Sequence, residues 1–136
     1  MKLVVDTNIL YTYFWKHSLT KKLIMRKDLE LFAPEFGLEE INKYKTDIIK
    51  KTKISEDKFR ELKFDIAISV KFIPVEEYRG FLKRALEISP DPNDIDFFAL
   101  SLKLNLPIWS NDALLKNQTK IRILTTKEIL GLIKKR

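Results

Sequence analysis

Leu3-Val4-Val5-Asp6-Thr7-Asn8-Ile9-Leu10-Tyr11 is a brief β-rich run that ends on an aspartate and turns at once into a helical start. A second stretch, Pro107-Ile108-Trp109-Ser110-Asn111-Asp112, repeats the arrangement about a hundred residues later: a short apolar strand, then an aspartate, then the start of a short helix. In an open parallel sheet the ligand crevice lies outside the carboxyl ends of the strands. If the two strands are neighbours, Asp6 and Asp112 point into one crevice.

Working outward, short strands alternate with helices. A basic helix is expected over about 19–27, then a strand at Leu29-Glu30-Leu31-Phe32-Ala33 stopped by Pro34. Helical stretches follow over roughly 35–52 and 55–70, the second announced by Ser55 as its cap. Phe72-Ile73-Pro74-Val75 reads as a short strand or extended link, 77–88 as helix, and 90–94 as a turn before a helix to about Asn105. Ile121-Arg122-Ile123-Leu124 is the last strand, and Thr125 or Thr126 caps a last helix to Lys134. Such alternation predicts an α/β protein, a three-layer α/β/α sandwich with a mainly parallel central sheet. With no repeat or flexible linker, 1–136 is expected to be a single domain.

Composition narrows the chemistry. There is no cysteine among the 136 residues, which excludes disulfides, thiolate-bound zinc and thiol nucleophiles. Lys and Arg number 26 against 19 Asp and Glu, a formal charge of +7 that favours polyanionic partners. No apolar run spans a bilayer, and Asp6 falls too early for a signal-peptide core, so a soluble cytoplasmic protein is the expectation.

Taken singly, Asp6, Asp94 and Asp112 each stand where a helix N-cap is wanted. Capping does not call for two aspartates at matching strand ends, however, and the two roles are compatible, because a helix N-terminus helps keep a carboxylate ionised. Glu40 lies within a helix. Glu39 is placed to pair with Lys43 on the exposed side, whereas Glu40 shares a stripe with Phe36 and Tyr44 beside the apolar face of Leu38, Ile41 and Ile48. Asp94 and Asp96, two apart, face nearly opposite ways; Asp94, aligned with Ser101 and Asn105, is preferred. The lone histidine, His17, is read as structural, and Tyr11, Tyr13, Phe14 and Trp15 as core or dimer contacts.

The order of these features resembles the PIN-domain family of nucleases, which includes the ribonuclease toxins of toxin–antitoxin pairs. Val4-Val5-Asp6-Thr7-Asn8 resembles the family's opening strand, Glu40-Ile41 its helical glutamate, and Asp94 through Leu106-Pro107-Ile108-Trp109-Ser110-Asn111-Asp112 its closing half. Asp96 duplicates an acid near the usual position, and the helical stretch around 50–72 is long and polar for the smallest members. The resemblance implies that Asp6, Glu40, Asp94 and Asp112 ligate one or two Mg²⁺ or Mn²⁺ ions for hydrolysis of RNA phosphodiesters, with Thr7, Asn8 and Ser110 in support. It also implies a homodimer and an antitoxin partner. Four clustered carboxylates repel one another without a cation, so raised carboxylate pKa values are expected in the metal-free chain. Lysines along the Glu40 helix (Lys43, Lys45, Lys50, Lys51 and Lys53) and near the first acid (Lys21, Lys22, Arg26 and Lys27) are candidates to grip phosphates. Two competing readings are a non-catalytic RNA- or protein-binding module on the same fold, and a phosphatase of the haloacid dehalogenase type. The latter is disfavoured because Asn8 stands where its second aspartate belongs.

Overall fold

Period-two burial along the strands sorts the core onto two faces. Leu3, Val5, Trp109 and Leu124 face one apolar cluster, and Val4, Ile108 and Ile123 face the other. A sheet whose two faces are both apolar must be covered on both sides. The computed structural model describes residues 1–135, and in it β1 (Lys2–Val5), β2 (Glu30–Pro34), β3 (Val70–Ile73), β4 (Ile108–Trp109) and β5 (Ile123–Leu124) form one sheet. The order is β3-β2-β1-β4-β5 and every neighbouring pair is parallel. The expected "mainly parallel" sheet is therefore wholly parallel.

Helices α1 (Thr7–Tyr11), α2 (Leu19–Ile24), α3 (Glu35–Lys43), α4 (Lys45–Thr52) and α5 (Glu56–Ser69) lie on the first side with α9 (Thr126–Lys134). They contribute Ile9, Leu23, Ile41, Ile48, Phe59 and Ile129 to that core. On the second side, α6 (Val75–Tyr78), α7 (Leu82–Ile88) and α8 (Ile95–Leu104) contribute Tyr78, Ala85 and Phe98. The result is the α/β/α sandwich. No helix among the described residues is long and apolar enough to cross a membrane.

Several boundaries differ from the sequence reading. The helix expected over 35–52 breaks at Tyr44, whose backbone leaves the helical region (φ −97°, ψ 15°) and whose ring meets Tyr11 edge-on at 6.3 Å. The strand expected at 72–75 begins at Val70, where β-branched Val70 pairs with Leu31. The helix over 77–88 is interrupted by a tight turn at Arg79–Phe81, centred on Gly80, a weak helix former. The predicted Glu39–Lys43 ion pair does not form; the Lys43 ammonium instead lies 5.6 Å from the centre of the Tyr44 ring. Residues 97–101 of α8 are all buried, so the middle of that helix is enclosed all round, while Lys103 near its end is exposed.

Two helices end on non-glycine residues in the left-handed region: Lys53 after α4 (φ 60°) and Asn105 after α8 (φ 55°). Asparagine tolerates this conformation readily, whereas an ordinary side chain pays roughly 1–2 kcal/mol. Thr125 caps α9 through a reciprocal capping box with Glu128, whose carboxyl is held down to about 2 by Lys116 and by its bonds to Thr125.

The fully buried Trp109 indole N–H donates to the Thr126 hydroxyl at 3.0 Å, tying β4 to α9. Thr126→Val keeps the volume but strands that donor, and should lower unfolding free energy by about 1–3 kcal/mol in urea titration. An unchanged midpoint would mean that the bond contributes nothing.

Candidate active site

The strand order reverses at β1, which has β2 on one side and β4 on the other. A crevice opens at such a switch point, beyond the carboxyl ends of the strands. Val5 is in register with Trp109, so the next residues, Asp6 and Ser110, stand side by side at the top of the sheet. Sequence alone puts Asp6 and Asp112 at equivalent strand ends. The register instead makes Ser110 the equivalent of Asp6, with Asp112 two residues further into the turn.

Ser110 joins the two acids. Its hydroxyl, fully buried, donates to Asp6 Oδ2 at 2.7 Å and accepts the Asp112 backbone N–H at 3.1 Å. Asp6 Oδ1 accepts weakly from Asn8 N–H at 3.4 Å, and Asp112 Oδ1 accepts from Leu114 N–H at 3.0 Å. Both aspartates therefore do cap the turns that follow them, as the simpler reading holds, and each retains further acceptor capacity. Asp94 is different. It opens α8 but makes no capping hydrogen bond; the capping in that turn is done by Asp91, which accepts from Asn93 N–H at 2.9 Å. Asp96 is engaged elsewhere, as acceptor of the Tyr78 hydroxyl.

Asp6, Glu40, Asp94 and Asp112 all line one cavity of about 630 Å³, together with Thr7 and Asn8. Ser110 sits behind its wall. His17 is exposed and lies outside it, lining a second cavity. Of the crowded aromatics, Tyr13 and Phe14 are core, while Tyr11 and Trp15 reach the acidic cavity.

Electrostatics mark the acids as mutually strained. Burial pushes the Asp6 carboxyl up, against the lowering influence of Ser110, and Asp112 adds to the rise. Burial also raises Glu40, with Asp6 repelling it and Lys43 partly offsetting that. Asp94 is pushed up to about 7, first by burial and then by the negative charges of Asp6, Asp91, Asp112 and Glu40. The Tyr11 phenol is driven upward by burial and by Glu40 beside it.

Asp91 and Asp47, also in the cavity wall, are not among the acids that the sequence singles out. Asp47 was findable: Glu40, Tyr44, Asp47 and Lys51 continue one helical stripe at intervals of four, three and four. Asp91 carries no signal beyond that of a turn residue.

The donors suit a hard divalent cation, being carboxylate oxygens with no thiol and no imidazole among them. The Thr7 hydroxyl, buried in the same cavity wall, has no hydrogen-bond partner, which leaves it available to a hydrated ion; the Tyr11 hydroxyl faces Glu40. Among the described residues, no three carboxylate or imidazole groups stand close enough, as placed, to hold an ion.

A family model for the PIN domain matches residues 4–130. This chain belongs to the PIN-domain family. PIN domains are generally nucleases and typically use divalent metals, which supports a hydrolase role in coarse terms. No curated protein sequence matches the chain closely enough to count as a relative.

In chelator, folding raises the Asp94 pKa from an ordinary 3.8 to about 7, so the folded state binds the extra proton between those values. Stability of the metal-free protein should therefore fall as pH rises from about 4 toward about 7. Asp94→Asn should raise Tm at pH 8 and raise it by clearly less at pH 5. Equal shifts at both pH values would remove the ionisation of buried Asp94 as the cause.

Proposed function

We propose that this PIN domain is a Mg²⁺- or Mn²⁺-dependent endoribonuclease acting through Asp6, Glu40, Asp94 and Asp112. The observation that carries the reading is that four acids from four separate segments line a single cavity, and that three of them are pushed toward protonation by burial and by one another. Perturbed carboxyls converging in a cleft are the physical signature of a site built for a cation.

When bound, a divalent ion would polarise the scissile phosphate and lower the pKa of a water poised to attack it. Asp6 is fixed in orientation by Ser110 and kept from bulk water, so it offers a preset oxygen rather than a mobile one. Asp112 shares that anchor through its backbone. Asp94, protonated in part near neutral pH, is the group whose charge state responds most to a cation. Glu40 enters from α3 on the opposite wall, with Lys43 close enough to temper its charge. Thr7 offers an unpartnered hydroxyl in the same wall.

The biological role we favour is the toxin of a toxin–antitoxin pair in the cytoplasm, working as a homodimer restrained by an antitoxin protein. That part rests on the family resemblance. A small antitoxin-like reading frame next to this one would support it.

Manganese titration calorimetry with labelled single-stranded RNA cleavage tests the core claim. Asp6→Asn, Asp94→Asn and Asp112→Asn should each abolish cleavage, and Ser110→Ala should weaken metal binding about 10–100-fold through loss of orientation. Metal affinity untouched by Asp6→Asn would sink the four-acid site. RNA bound but left intact by the wild-type chain under all metal conditions would favour a non-catalytic binding module.

A further inference from the structure

A second cavity, of about 730 Å³, adjoins the acidic one, and Trp15 and Lys51 line both. Its charged residues are of the opposite sign, set among the apolar Phe14, Ile54 and Leu62. Lys16, Lys21, Lys51, Lys53 and Lys58 line it and no carboxylate does. Lys58 is paired with Glu61 at 3.4 Å, and the Lys21 ammonium lies 5.1 Å from the centre of the Tyr13 ring. Lys16, Lys51 and Lys53 have no ion-pair partner among the described residues. Trp15 is 42% exposed, whereas Trp109, the other tryptophan, is fully buried.

The placement of Lys53 is informative. It is the left-handed residue that ends α4, a position where glycine fits without strain, yet the occupant brings an ammonium to the cavity wall. An indole face at the junction, free lysines beyond it and a phosphodiester site before it form one continuous path.

We propose that the basic cavity is a binding channel for single-stranded RNA running on from the cleavage site. Trp15 stacks an unpaired base at the junction, and Lys16, Lys51 and Lys53 neutralise the phosphates that follow. The inference rests on the nuclease reading above, since a polymer cut in the acidic cavity must continue out of it. The strand is single because a base in a duplex offers no free face to an indole. An acidic protein segment could use the lysines but would leave the exposed indole unexplained.

The test uses a fluorescein-labelled 12-nucleotide oligouridylate, with anisotropy read in chelator across a salt series. Trp15→Ala should weaken binding about 5–100-fold and remove the quenching of tryptophan emission that the oligonucleotide causes. Lys16→Gln with Lys53→Gly should lower the log–log salt slope by about 1.4, at about 0.7 for each phosphate that is no longer neutralised. The left-handed backbone at position 53 accommodates that change, so melting temperature should not fall. Lys127→Gln with Lys134→Gln, on α9, should change neither quantity. Unaltered affinity and slope in the first two variants would overturn the channel, as would a hairpin duplex bound as tightly as the single strand. An oligoglutamate peptide that binds where the oligonucleotide does not would reassign the surface to an acidic protein. Because binding is read without metal, a wild-type chain that binds in this way yet cleaves nothing once Mg²⁺ or Mn²⁺ is supplied refutes the nuclease reading alone. A chain that cleaves but shows no dependence on Trp15 or the lysines refutes the channel alone.

Discussion

The parallel pairing of β1 with β4 is the contact on which the remaining architecture depends. It is short, with Asp6 N–H donating to the Trp109 carbonyl at 3.0 Å and Val4 N–H to the Pro107 carbonyl at 3.0 Å. It nonetheless fixes the point where the strand order reverses, and the crevice exists because of that reversal. One buried serine then converts strand register into side-chain geometry. With Ser110 held between Asp6 and the backbone of Asp112, two acids from distant parts of the chain are constrained by a single hydroxyl.

That constraint runs against the electrostatics. An excess of positive charge over the whole chain does little for carboxyls that burial has removed from water, and their nearest charged neighbours are one another. Asp94 bears most of the conflict, having neither a capping bond nor a serine to hold it. Lysines are not absent, but only Lys43 and Lys51 reach this cavity, and the larger set gathers next door. Segregating the two signs keeps the acids from being neutralised by internal salt bridges, which leaves them able to take up a mobile cation.

Much of this was legible in the residues. Alternating apolar runs and helix starts carried the sandwich, because a sheet covered on both faces needs continuous apolar strands, and Leu3-Val4-Val5 and Ile108-Trp109 are such strands. The choice of Asp94 over Asp96 rests on helical angle, and the structure engages Asp96 with Tyr78 while leaving Asp94 in the cavity. What sequence could not supply was register. Nothing local says that Ser110, rather than Asp112, lies opposite Asp6; that depends on a pairing across most of the chain. The break at Tyr44 was equally hidden, since every residue around it is compatible with helix and only the packing of its ring on Tyr11 distinguishes the position. Asp91 looks like any turn residue because its contribution is made through space, on Asp94.

The scatter of the four acids has a consequence for synthesis. Residue 6 leaves the ribosome well ahead of its partner strand β4 and of Asp112, which come last but one among the elements of the sheet. Domains generally fold as units while the chain is made, and here the first strand must wait, paired on one side only, until its other neighbour emerges. A chain that stops before Asp112 cannot gather the four carboxylates. The arrangement therefore acts as a completion check, withholding the cluster from every nascent chain until nearly all of the domain has been built.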